Sequence, residues 1–184
     1  MSQIFIAITV DAISLAANKP GGSWDSPISL GTYSDSDVYI EMMAQGDAVV
    51  NDQGESELTI EASVGDEIIY TISAPGAGQN YYPVLYDVDL KESYVTSLGS
   101  NTAVWSNYCL QSNTGSGVEP VFVDTIPTGF TNAGDPNTFI CSQWLFEVNA
   151  VGNTGYTMSF AVLDTQTGDV IGYYKWDPFI NVQN

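Results

Sequence analysis

The chain has 184 residues, of which 44% are hydrophobic, so it is long enough and apolar enough to bury the core of one domain. Its 22 acidic residues against three lysines give a net charge of −19, which argues against nucleic acid and anionic membrane surfaces as partners. Histidine is absent, which removes Ser-His-Asp and Cys-His catalysis and the commonest ligand of transition metals.

The first predicted elements are a strand and a short helix. Every second residue from Ile4 to Val10 is isoleucine or valine, which predicts a strand that buries this face fully and the opposite face partly. Asp11 can cap a helix over residues 11–18, which Pro20 then stops. The opening apolar stretch has no basic residues and is interrupted at Asp11, so we expect no export signal and a cytoplasmic protein.

The central part of the chain alternates in the pattern of β-strands. Residues 57–61 alternate acid or threonine with Leu58 and Ile60, which predicts that the acid, including Glu57, points to solvent. The Gly-Asp pair at 65–66 predicts a turn between two strands. Further strands are predicted at residues 38–43, 82–90, 121–126, 139–148, 156–163 and 170–175.

The C-terminal segment "GYYKWDPFINV", residues 172–182, combines the end of a strand with a bend. The loop at 164–169 is rich in turn-forming residues, so we predict that the strands on either side of it form a hairpin. Pro178 cannot donate to a strand ladder, which predicts a bend followed by an edge segment at 179–182. We expect Trp176 to fill the end of the core there.

The density of short strands, without intervening helices, predicts the fold class. We predict an all-β protein, an antiparallel β-sandwich or jelly roll with at most one short helix. The glycine-rich stretches are short enough to be loops, and strand patterns resume on both sides of each. We therefore expect residues 1–184 to form a single β-sandwich domain.

Two cysteines, Cys109 and Cys141, can form one disulfide or remain free thiols. Closing that loop would stabilise the fold by about 3 to 4 kcal/mol in the chain-entropy model. In a reducing cytoplasm we expect free, buried thiols. Their spacing matches no zinc or redox motif, so we predict no bound metal and no cofactor.

Two pairs of aspartates are candidates for chemistry. Asp35 and Asp37, and likewise Asp87 and Asp89, place two acids on one side of an extended segment, where they could bind calcium or act as a glycosidase pair. Neither segment has the ligand pattern of an EF-hand. We therefore interpret these residues as solvated turn and strand-end aspartates, and we predict no catalytic residues.

Several aromatic residues could stack on sugar rings while aspartate and asparagine bind the hydroxyl groups. These candidates are Trp24, Tyr81, Tyr82, Trp105 and Tyr108. Because aromatic residues on a β-sandwich are more often part of the core, core packing is our preferred interpretation. Lys175 is interpreted as an exposed strand lysine, since a Schiff-base role would require burial.

Four segments together resemble the PixA/AidA family of bacterial inclusion-body proteins. They are "VDAISLAANKP" at 10–20, "GESELTIEASVGDEIIY" at 54–70, "VLYDV" at 84–88 and "YYKWDPFI" at 173–180. The resemblance spans essentially the whole chain in order. The resemblance implies a small all-β protein. Some members of the family accumulate in cytoplasmic inclusions, and others are expressed under quorum control. With only four methionines, the chain departs from the methionine-rich members, and sulfur storage is not expected.

These observations lead to one functional hypothesis and one alternative. The first is a non-enzymatic protein that associates with itself, as a homo-oligomer or in inclusions. The alternative is a carbohydrate-binding, lectin-like module, calcium-assisted or calcium-free, that binds glycans on a host or neighbouring cell surface. The charge of −19 opposes self-association at neutral pH, so we expect association to strengthen with added calcium or salt, or as the pH falls toward the sequence pI of about 4.1.

Overall fold

The computed structural model of the protein describes residues 2–75, 80–90, 95–101, 108–110, 122–124 and 142–183. In chain order the elements are β1 (Gln3–Val10), α1 (Ala12–Asn18), β2 (Ile28–Ser29), β3 (Ile40–Ala44), β4 (Val49–Asn51), β5 (Thr59–Ser63), β6 (Glu67–Ser73), β7 (Tyr81–Leu90), β8 (Val95–Asn101), β9 (Tyr108–Leu110), β10 (Phe122–Asp124), β11 (Ser142–Val148), β12 (Gly152–Asp164), β13 (Val170–Trp176) and β14 (Phe179–Gln183). A short 3₁₀ helix spans Tyr33–Asp35.

Two sheets build the sandwich. The first has the strand order β3-β1-β6-β11-β8, and the second has the order β2-β13-β12-β14-β5-β4, with β7 also paired to β12. The strands β9 and β10 form a separate ribbon. The predicted all-β sandwich with one short helix is confirmed. The sheets are mixed, because three of the strand pairs run parallel, namely β1–β6, β2–β13 and β5–β14. The two strands of each pair are distant in the chain, so no tight hairpin forces them to be antiparallel.

The core lies between the two sheets. The isoleucines of β1 point inward and are almost fully buried, and they share the core with Tyr70 and Phe146 of the same sheet. Across the interface, the Tyr156 hydroxyl hydrogen-bonds to the Tyr70 hydroxyl, and both rings pack edge-on against Phe146. This hydrogen bond gives both buried hydroxyl groups a partner. Two tyrosines can therefore lie in the core without leaving an unpaired polar group there.

The predicted helix is confirmed, with the predicted cap. The Asp11 carboxylate accepts hydrogen bonds from the Ser14 N–H (3.0 Å) and the Ser14 hydroxyl (2.7 Å). At the other end of the helix the Tyr174 hydroxyl donates to the Lys19 carbonyl (2.9 Å), which ties α1 to β13. No helix among the described residues is long and apolar enough to span a membrane.

The predicted turn at residues 65–66 is confirmed and carries the chain from one sheet to the other. Gly65 adopts a φ of 89°, which glycine tolerates without strain. The Asp66 carboxylate accepts from the Ser63 N–H (3.0 Å) and from the Ser2 N–H (2.7 Å). This side chain therefore holds the start of β1 beside the start of β6, which explains their parallel pairing.

The C-terminal hairpin is confirmed, but the predicted edge segment is wrong. β12 and β13 pair through the loop at 164–169, where the Asp164 carboxylate accepts from the Gln166 and Thr167 N–H groups at 2.7 and 3.1 Å. Beyond the bend at Pro178, β14 continues along the same side of β12. Its other side pairs with β5, so it lies inside the sheet rather than at its edge.

Candidate functional site

The structure separates the two aspartates of the first predicted pair. Asp35 is exposed and lies in the wall of an open groove of about 420 Å³ that also contains Lys19. Asp37 is half-buried, and its carboxylate accepts from the Ser56 N–H (2.8 Å) and the Ser56 hydroxyl (2.7 Å). The two carboxylates therefore lie in different surroundings, one in an open groove and the other bonded to Ser56.

The second pair, Asp87 and Asp89, lies on β7. Asp89 is exposed and Asp87 is half-buried. Burial raises the pKa of Asp87, and the neighbouring charge of Asp89 raises it further. Within the parts of the chain that the structure describes, no three acidic or cysteine side chains converge as a metal site requires.

Asp37 instead belongs to an acidic corner, which we define as Asp37, Glu57 and Asp177. Glu57 is only 2% exposed, so the prediction that it points to solvent is wrong, although Glu61 of the same segment is exposed as predicted. Glu57 precedes β5, and its carboxylate turns inward to accept the Tyr33 N–H (2.9 Å). Tyr33 has a φ of 47°, an uncommon backbone conformation for a bulky residue.

The surroundings of Glu57 disfavour its ionised form. Burial raises its pKa, and the charges of Asp177 and Asp37 raise it further, against the lowering effect of the Tyr33 N–H. Next to it, the Ser36 and Ser56 hydroxyls hydrogen-bond to each other (2.6 Å), and both residues are fully buried. The corner is therefore a closed polar network with one carboxyl group that gains protons more readily than an exposed glutamate.

The Trp176-Asp177-Pro178 bend supplies the third member of the corner. Trp176 is 1% exposed and packs edge-on against Phe160, which fills the core as predicted. The Thr157 hydroxyl donates to the Asp177 carboxylate. The bend therefore places one side chain in the core and the next close enough for its charge to raise the pKa of Glu57.

The other predicted candidates are placed as follows. Trp24 and Tyr81 pack partly buried against the core, and Tyr82 is 2% exposed, so core packing holds for these three aromatics. Lys175 is partly exposed on β13. Cys141 and Trp105 lie outside the described residues, and only the backbone of Tyr108 and Cys109 is described, in β9.

The feature that the sequence analysis missed is the outer face of the first sheet. On β1, Phe5 is 45% exposed and Ala7 is also exposed, so this face is more open than predicted. Ala7 pairs with Met43 of β3, which is 57% exposed. Phe5 pairs with Ile69 of β6, and Ile69 pairs with Leu145 of β11. Paired residues project to the same face, so these five side chains lie on one face of the sheet, which we call the outer patch. Phe5, Ala7 and Met43 are its exposed members, whereas Leu145 is partly buried and Ile69 is only 6% exposed.

Acidic side chains border the outer patch at both ends. On one side Glu67 pairs with Glu147 across β6 and β11, and the Gln3 side-chain amide donates to the Glu67 carboxylate (2.7 Å). On the other side Glu41 is exposed and pairs with Thr9. The face therefore has an apolar centre between two acidic rims.

Comparison with known proteins gives a consistent result. The family model described as PixA, inclusion body protein, matches residues 2–182. The crystal structure of a PixA inclusion body protein from Burkholderia cenocepacia J2315 is similar over 99% of this chain and 96% of that chain, with a TM-score of 0.69 and 13% identity. That likeness shows a shared fold.

A weaker likeness involves a cysteine protease inhibitor from Entamoeba histolytica. It covers 68% of this chain and 84% of that chain, with a TM-score of 0.31 and 9% identity, which is too low to support a common fold. No curated protein matches this sequence.

Proposed function

Because the chain belongs to the PixA family of inclusion body proteins, we propose that it is a non-catalytic structural protein whose copies associate through the outer patch and pack into inclusions. The observation that carries the proposal is the outer patch itself. Its exposed members, Phe5 and Met43, lie on the same face of neighbouring strands in a regular sheet. Large apolar side chains that are exposed together on one face are a feature of interaction sites.

The geometry of the patch favours a second copy as the partner. Packing two such faces together would remove apolar area from water at roughly 25 cal/mol per Å², which is the main favourable term in protein association. Sheet faces pack against one another in the same way inside β-sandwiches. The face offers side chains rather than unpaired backbone groups, so the contact can form without unfolding any strand.

The acidic rims set the conditions for this association. In a contact between two copies, Glu41, Glu67 and Glu147 bring carboxylates close together, which repels at neutral pH and low salt. Protonation or screening of these groups removes the repulsion while the apolar contact remains. The proposed interface is therefore weak at neutral pH and strengthens under acid or saline conditions.

Sedimentation velocity at pH 5 and moderate salt tests the proposal. We expect the wild-type protein to form dimers and larger species, and the variant Phe5→Thr/Met43→Thr to sediment as a monomer, since threonine retains strand propensity but removes apolar area. The matched control is Ile13→Ala/Val38→Thr, which removes two exposed apolar side chains, 58% and 63% exposed, outside the patch. The control should associate like the wild type.

Two outcomes contradict the proposal. If the patch variant and the control associate equally, the outer patch is not the interface. If the wild type remains a monomer at every pH and salt concentration, self-association is the wrong function class. Binding to a glycan array would then test the carbohydrate-binding alternative.

A further inference from the structure

β3 is one of the two outermost described strands of the first sheet, and its outer edge is closed by the chain itself. At Met42 the closure uses backbone groups. The Gly54 N–H donates to the Met42 carbonyl (2.8 Å), and the Met42 N–H donates to the Glu55 carbonyl (3.1 Å). The segment between β4 and β5 therefore replaces a neighbouring strand for one residue of β3.

At Ala44 a side chain replaces the backbone. The Gln53 carboxamide oxygen accepts from the Ala44 N–H (3.1 Å), and the Gln53 carboxamide nitrogen donates to the Ala44 carbonyl (3.0 Å). A primary amide carries the same donor and acceptor as a peptide group, so Gln53 completes the ladder that a strand would form. Asp52 and Gly54, at φ values of 63° and 90°, shape the turn that brings Gln53 to this position.

An open edge would be hazardous in this protein. Unpaired N–H and C=O groups at a sheet edge are a template on which a strand of another molecule can add, and repeated addition gives cross-β aggregates. The hazard increases with local concentration, which is high when copies pack face to face. Met43, a member of the outer patch, lies between Met42 and Ala44, so the edge adjoins the proposed interface.

We infer that Gln53 is an edge-closing residue, which blocks the addition of an extended strand from a second copy to β3 and so confines contacts between copies to sheet faces. The inference rests on the proposed function in one respect: dense packing of copies is the reason why an open edge would be harmful. The closure itself is a property of the monomer. Its test can therefore fail independently of the test of the outer patch.

The test compares thioflavin T fluorescence and the infrared amide I band of concentrated protein under gentle agitation at pH 7. We expect Gln53→Ala to shorten the lag before intermolecular strand pairing by roughly tenfold, because two hydrogen bonds that close the edge are lost. The matched control is Gln45→Ala, an exposed glutamine in the neighbouring turn, which should behave like the wild type.

A rescue variant separates edge opening from general destabilisation. In Gln53→Ala/Ala44→Pro the proline removes the N–H that points away from β1, so the edge cannot accept a strand even though Gln53 is gone. We expect the lag to return to within about twofold of the wild type. The inference is overturned if Gln53→Ala aggregates no faster than Gln45→Ala, or if the proline fails to restore the lag.

Discussion

At the scale of single residues, Glu57 is the side chain whose environment departs furthest from its local sequence. It lies in an alternating strand pattern, yet it is 2% exposed and accepts a hydrogen bond from the Tyr33 N–H across 24 residues of chain. Its neighbours Asp37 and Asp177 are acidic, so the buried carboxylate has one identified backbone donor and two like charges around it. Burial and these two charges therefore disfavour the ionised form of Glu57.

We predict that Glu57→Gln stabilises the protein at neutral pH. Because burial raises the folded-state pKa of Glu57 above its unfolded value, the folded state binds the proton more tightly, and stability is gained as the pH falls through that raised pKa and lost as it rises. Glutamine is neutral at every pH and can still accept the Tyr33 N–H. We expect a gain in unfolding free energy on the order of 1 kcal/mol at pH 7, measured by urea denaturation.

The pH dependence and a control make this prediction specific. The difference between wild type and Glu57→Gln should shrink as the pH falls, because the wild-type carboxyl group becomes neutral as well. Glu61→Gln, which removes an exposed carboxylate from β5, should change stability little at any pH. A loss of stability in Glu57→Gln at pH 7 would mean that the ionised hydrogen bond to Tyr33 outweighs burial and repulsion.

At the scale of elements, one tyrosine joins the helix to the second sheet. Tyr174 on β13 stacks on Phe160 of β12 and donates to the carbonyl of Lys19, just beyond the end of α1. Its ring passes over Gly172, where an added Cβ would overlap the hydroxyl and lie 3.0 Å from the Gly21 carbonyl. The missing side chain at Gly172 therefore makes room for the contact that positions the helix.

We predict that Gly172→Ala destabilises the protein by about 1 to 3 kcal/mol, because the methyl group displaces the Tyr174 hydroxyl and breaks its hydrogen bond. Gly46→Ala is the matched control, since a Cβ there meets nothing within 4 Å. Thermal unfolding of the single variants and of Gly172→Ala/Tyr174→Phe provides the measurement. Without the hydroxyl the alanine should cost less than in the wild type, although the ring carbon Cζ, 2.7 Å from the added Cβ, must still shift. Fully additive effects would show that the overlap with the hydroxyl is not the cause.

At the scale of the whole molecule, charge and apolar surface oppose each other. A net charge of −19 on 184 residues keeps copies apart, while the outer patch favours contact. The acid is dispersed along the chain, so the repulsion acts between whole molecules as well as between the rims of the patch. If copies associate through the outer patch as proposed, we therefore expect solution conditions to control assembly, and not the apolar contact alone.

We predict that association of the wild-type protein increases steadily from pH 8 toward the pI of about 4.1, as exposed carboxylates with reference pKa values near 4 take up protons. At pH 7, sodium chloride should increase association by screening, since the Debye length falls to about 8 Å at 0.15 M. Dynamic light scattering measures both trends. A particle size that decreases on acidification or with salt would show that ion pairs, and not apolar contacts, hold the copies together.

Local patterns in the sequence were sufficient for most of the elements. The period-two alternation of β1, the Asp11 cap of α1 and the turn-rich loop at 164–169 all appear in the structure as predicted. These features depend on interactions among residues close in the chain. Four segments spread along the chain, at residues 10–20, 54–70, 84–88 and 173–180, carried the resemblance to the inclusion-body family.

Contacts between distant segments decided the rest. Alternation shows that β1 has two faces, but it does not show that the face of Phe5 stays open while the other is buried. The placement of β14 inside its sheet depends on β5, which lies more than 100 residues earlier in the chain. The burial of Glu57 depends on the loop that carries Tyr33. Likewise Gln53 pairs with Ala44 only because the turn that contains Gln53 folds back against β3. The physical reason is common to all four: whether a strand edge, a face or a polar group meets water depends on what another part of the chain places against it.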